Sequence, residues 1–96
     1  MQRMQWMMVF GLGLAGLAHA GEAELAAGER YNKPGFVTAV VADRLWVFEA
    51  NSKALADYQA TNLVPDVSAS DIGNGPEGMT LKANTPEVIK AYQDAK

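Results

Sequence analysis

The apolar positions of this chain fall into blocks of alternating character, and they predict elements in the order strand, strand, helix, strand, strand, helix. The first block, FVTAVV from Phe36 to Val41, is β-branched and follows the turn signal Pro34-Gly35, which predicts a strand. A short turn, Ala42-Asp43-Arg44, leads into LWVFEA from Leu45 to Ala50, the returning strand of a hairpin. The next segment, SKALADYQATN, offers Ser52 as N-cap and places Leu55 and Tyr58 three apart, as one face of a helix requires. Pro65 closes any helix before it. VSASDI (Val67 to Ile72) reads as a weaker strand. In GMTLKA, Gly78 to Ala83, the residues Met79, Leu81 and Ala83 alternate with Thr80 and Lys82, the pattern of a half-buried strand. The final block carries Thr85 at the N-cap, Pro86 at the first helical position and Glu87 in the first turn, each favourable there. Val88 and Tyr92 give that helix its inward face.

The element order suggests a repeat. VFEANSKALADYQA lies over TLKANTPEVIKAYQDA, matching Ala50-Asn51-Ser52 to Ala83-Asn84-Thr85 and Tyr58-Gln59 to Tyr92-Gln93. Two ββα units predict an α+β fold, a four-stranded antiparallel sheet with both helices on one face. The alignment sets Trp46 against Met79 and Phe48 against Leu81, so these four are expected to face the helices. The domain is expected to span residues 34–96, preceded by a flexible leader over 21–33, where GEAELAAGERYNK shows little apolar periodicity.

The N-terminus changes the picture of the composition. MQRMQWMMVFGLGLAGLAHA has one basic residue, a short uncharged apolar run and the small-residue triplet Ala18-His19-Ala20. That is the layout of a cleavable signal peptide over residues 1–20, too short in its apolar part for a membrane span. It predicts export, most simply to the periplasm, with no stable span after cleavage; retention of the segment as an anchor stays open. The sequence has 8 Lys+Arg against 11 Asp+Glu, and the predicted signal takes away only Arg3, leaving a net charge of about −4. It also takes the only His, His19, and there is no Cys. A mildly acidic chain without a basic cluster is a poor match to nucleic acid.

GNGPEG, Gly73 to Gly78, spells the G-x-G-x-x-G of a dinucleotide loop. In that fold the motif leaves a strand and opens a helix, whereas here MTLKA follows and alternates as a strand. Pro76 removes a backbone donor and Glu77 places a negative charge where a phosphate would sit, so the six residues read as a turn between two strands.

Loss of His and Cys removes Ser-His-Asp and Cys-His catalysis within one mature chain, as well as thiolate and imidazole metal sites. No catalytic residue, metal site or cofactor is predicted. Asp57, Asp66, Asp71 and Glu77 show no calcium-loop spacing and read as solvated acids.

Two functional classes stay open. The first is a small non-catalytic periplasmic binding or accessory protein. With the helices on one face, Leu45 and Val47 fall on the other, and the neighbouring strand has Phe or Val on both faces. An apolar sheet face built from Leu45, Val47, Phe36, Val37, Val40 and Val41 would then need a cover, supplied by a second copy in a homodimer or by a periplasmic protein partner, or, as the alternative, by the leader folding back across it. The second class is a small-ligand binder or enzyme with a pocket between sheet and helices, near Trp46, Tyr58 and Tyr92. The identity of partner or ligand and the biological process are not encoded in any motif.

Overall fold

The structure, a computed structural model, describes residues 20–96; the predicted signal sequence lies outside the described residues except for Ala20. Residues 20–28 form helix α1, extended by a 3₁₀ turn over Glu29–Tyr31. Then come β1 (Phe36–Val41), β2 (Arg44–Glu49), α2 (Lys53–Thr61), β3 (Ala69–Asp71), β4 (Thr80–Ala83) and α3 (Pro86–Asp94). The chain is a small α+β domain, and no helix among the described residues is long and apolar enough to cross a membrane.

β1 and β2 form the predicted hairpin, with Val37 beside Phe48 and Ala39 beside Trp46. Its turn puts Ala42 and Asp43 in left-handed backbone conformations, φ 51° and 64°. Two such residues make the mirror-image turn whose twist matches that of the strands. The caps also form as expected. Ser52 accepts from the Leu55 N–H and Thr85 from the Val88 N–H, satisfying donors that the first helical turn leaves orphaned.

The sheet differs from the expected one in pairing and in cover. Its order is β1-β2-β4-β3, antiparallel at both outer pairs but parallel between β2 and β4. The chain after β2 does not return to the adjacent position. It crosses by way of α2 to the far edge, runs back as β3, and only then inserts β4 beside β2, in the same direction.

The helices, expected on one face, lie on opposite faces. Leu45, Val47, Leu81 and Ala83 pack with Val88, Ile89 and Tyr92 of α3. Trp46, Phe48 and Ala39 pack with Leu55 and Tyr58 of α2. The repeat therefore matches in sequence but not in space, for Leu81 stands beside Leu45 rather than in the environment of Phe48. The register explains why. In the repeat Leu81 stands for Phe48, but β4 lies beside β2 with Leu81 at Leu45, and an odd offset turns alternating side chains to the other face. Phe48 and Leu81 each face the helix that follows their own strand, and those two faces are opposite.

The segment expected to be a flexible leader is part of the domain. Its Ala, Glu and Leu residues favour a helix. Leu25 packs on the α2 side of the sheet and Tyr31 on the α3 side, so residues 20–33 form a strap that crosses the β1 edge. Little periodicity marks it because it docks through few apolar side chains. Gly28 lies against β1 so closely that a Cβ there would come within 2.4 Å of the Thr38 carbonyl oxygen. The Thr38 hydroxyl donates to the Gly28 carbonyl, and Asn32 Oδ1 accepts from the Thr38 N–H at 2.7 Å.

Candidate functional site

The residues expected to form an association face are placed by β1 and β2, and they are covered by the chain itself. Leu45 and Val47 are each 0% exposed, beneath α3. Phe36 and Val40 pack on that same side, Val37 and Val41 on the α2 side. The apolar residues on both faces of the hairpin have the cover they need within one chain, so this face is not a free surface.

The aromatic residues expected to share a pocket are separated by the sheet. On the α2 side, Trp46, Phe48 and Tyr58 form a stack, with ring centroids 6.5 Å apart for the first pair and 5.2 Å for the second. The Tyr58 hydroxyl donates to Glu24 of the strap, and the Lys82 ammonium lies 5.4 Å from the centre of the Trp46 ring. On the α3 side, Tyr92 meets Phe36 edge to face at 5.7 Å and its hydroxyl donates to the Tyr31 carbonyl. Lys33 Nζ donates to the Tyr92 and Ala95 carbonyls at 2.9 and 3.0 Å. A cation on the last carbonyls of α3 is favourably placed against the helix dipole. All three aromatic residues thus pack within the fold, and the sheet separates Trp46 and Tyr58 from Tyr92.

The Gly73–Gly78 segment is the expected turn between strands. Gly73 and Gly78 take positive φ, 72° and 80°, and Glu77 joins them at 58°. Gly75 is held for a different reason, because a Cβ there would meet the Met79 carbonyl oxygen at 2.7 Å. The bend aims Glu77 at the strap, where its carboxylate accepts from Arg30 and from the Tyr31 hydroxyl. Sequence reasoning missed this tether, since nothing in the local pattern links residues so far apart.

The protein's tyrosines respond to this arrangement. Burial, and then the bond to Glu24 and its charge, push the Tyr58 hydroxyl far above its ordinary value of 10. Tyr92 is raised by burial and then by Tyr31, and Tyr31 chiefly by its bond to Glu77. A folded-state pKa above the unfolded one leaves stability untouched at lower pH and removes it as pH climbs through the folded value. The urea midpoint should therefore be insensitive to the tyrosines up to about pH 10 and fall beyond it, in step with tyrosinate absorbance. Tyr58→Phe should flatten that alkaline fall. An unchanged slope in the variant would show that Tyr58 does not hold its proton in the fold.

What stays open is a surface that the sequence reading passed over. Leu63, Val67 and Ile72 are 70%, 81% and 81% exposed; Val67 and Ile72 flank the edge strand β3 in the chain, and Leu63 lies in the connection that leads to it. A cleft of about 500 Å³ adjoins Leu63, floored by Ala54, Val64 and Pro65 and rimmed by Lys53, Asp57 and Asp66. Among the described residues no cluster of three or more His, Cys, Asp or Glu could hold a metal ion. Set against family models, curated proteins and solved structures, the chain finds no match. The available signal for this surface was the low polarity of Leu63, Val64 and Val67 in a stretch with no helical or strand period.

Proposed function

We propose that this chain is a small exported, non-catalytic binding or accessory protein that associates with another protein through the surface between Asn62 and Gly73. The observation that supports the reading is the distribution of exposed large apolar side chains. Among the described residues they are Leu63, Val67 and Ile72, and all three fall in that stretch. Scattered singly, such residues need no explanation, but grouped at a sheet edge they mark a contact surface. Burial of Leu45 and Val47 moves the contact away from the sheet face and onto this edge. Export is supported by the signal-like order of residues 1–20 and fits a chain with no Cys whose core is closed by its own helices.

The test is the native mass of the protein, purified gently from its own host, compared with that of Leu63→Asp combined with Val67→Asp. The wild type should run as a complex with a second, different protein and the double variant as a single chain. The two should share a urea midpoint, since exposed substitutions change stability by only about 0.5 kcal/mol. A wild type that runs as a single chain would overturn the reading.

A further inference from the structure

The two edges of the sheet are treated differently. Along β1 the strap fills the space beside Thr38, whose N–H and hydroxyl are already bound to Asn32 and Gly28. No further strand can approach there. At the opposite edge, among the described residues, β3 pairs with β4 alone, and Ser70 at its centre is exposed. An unguarded edge is a template for another strand. Three residues offer few backbone hydrogen bonds, so side chains must add to them, and Val67 and Ile72 flank β3 with most of their surface in water.

Charge says what kind of strand fits. From Ala54 to Leu81 the chain carries Asp57, Asp66, Asp71 and Glu77 and not one Lys or Arg. Asp57 is paired with Lys53 and Glu77 with Arg30. Asp71 has only the neutral amides of Asn74 and Gln93, and Asp66, exposed, joins no ion pair among the described residues. Lys82, the residue after Leu81, reaches Ser70 at the centre of β3 at 2.8 Å and lies on the α2 side, over Trp46. The negative charge left without a cation is that of Asp71, on the α3 side with Gln93, and of Asp66 just before the strand. A second copy would bring the same acids together, on chains that are each net acidic.

We infer that β3 is an acceptor edge for an extended basic segment of a partner protein, which lengthens the sheet by one strand. Its apolar side chains lie against Val67 and Ile72, and its Lys or Arg residues lie beside Asp66 and Asp71. The inference rests on the association reading above and names its mode, strand addition, in which backbone bonds give affinity and flanking side chains give selectivity.

The experiment records backbone amide NMR shifts and hydrogen exchange of the full chain with a short peptide of alternating lysine and valine, at about 1 mM. A glutamate–valine peptide is the control. The lysine peptide should shift and slow amides within Ala69–Asp71, and added salt should weaken the effect. Asp66→Lys should reduce its affinity about two- to fivefold, the range of an exposed charge pair. The inference is overturned if neither peptide acts or both act alike. It is equally overturned if the shifts map elsewhere, or if the free chain is a dimer with β3 already protected. Should the Leu63/Val67 double variant break the native complex while the peptides leave β3 untouched, the association reading stands and strand addition falls.

Discussion

Phe48→Ala is expected to lower the unfolding free energy by about 3–5 kcal/mol, the range for removing a large aromatic side chain from a core. Phe48 is 0% exposed and stands in the middle of the Trp46–Phe48–Tyr58 stack. Its removal forfeits the transfer of a whole ring from water, leaves a cavity between two rigid neighbours, and breaks two aromatic contacts. The hairpin backbone holds Trp46 and the strap bond to Glu24 holds Tyr58, so neither ring can slide far to fill the gap. A domain of this size without disulfides has a stability near the low end of about 5–15 kcal/mol. The variant should therefore be unfolded in a large part of its population. Urea unfolding followed by far-ultraviolet circular dichroism measures it, and a loss below about 1 kcal/mol would mean that the stack is not a rigid core.

The second large effect is expected at Gly28. Its backbone, φ −85° and ψ −12°, is ordinary right-handed helix, so alanine suits the conformation and by helix propensity alone should stabilise by about 1 kcal/mol. Space decides the other way. The new Cβ would lie 2.4 Å from the Thr38 carbonyl oxygen and 2.8 Å from the Ala39 nitrogen, both backbone atoms inside a paired strand that cannot give. Gly28→Ala should push the strap off β1, cost about 1–3 kcal/mol as overpacking does, and release the Asn32 bond to the Thr38 N–H. Hydrogen exchange at Thr38 should accelerate, and a protease should cut within residues 21–33, where the wild type resists. A variant as stable as the wild type, with Thr38 still protected, would show that the strap does not rest on this contact.

Several elements were legible because their signals are local. The Ser52 and Thr85 caps, the hairpin through Ala42-Asp43, the Gly73–Gly78 turn and the last helix all follow from residues close together in sequence. Sheet order was not legible, because nothing near β2 says that the next strand in the chain will lie at the far edge. The cover of the sheet was legible and was misread. Leu45-Trp46-Val47-Phe48 is an unbroken apolar run, and β2 buries all four, the mark of a central strand covered on both faces. The repeat argued for equivalence, but β4 docks beside β2 at an odd offset from the repeat, Leu81 at Leu45 rather than at Phe48, and that reverses the side. How the strap docks was not legible, because a glycine, an asparagine and two tyrosine–carboxylate bonds hold it, and none of these has a period. The surface from Asn62 to Gly73 escaped notice for the same reason, since loops display no pattern that separates a contact from a connection.

Association through residues 63–72 is tested by amide hydrogen exchange along the full chain, free and in the complex recovered from its own host. Thr38 should exchange slowly in both states, guarded by the strap. Ala69–Asp71 and the neighbouring amides of residues 63–72 should exchange quickly in the free chain and slow markedly in the complex. A complex that leaves residues 63–72 unchanged and slows amides elsewhere would contradict that association.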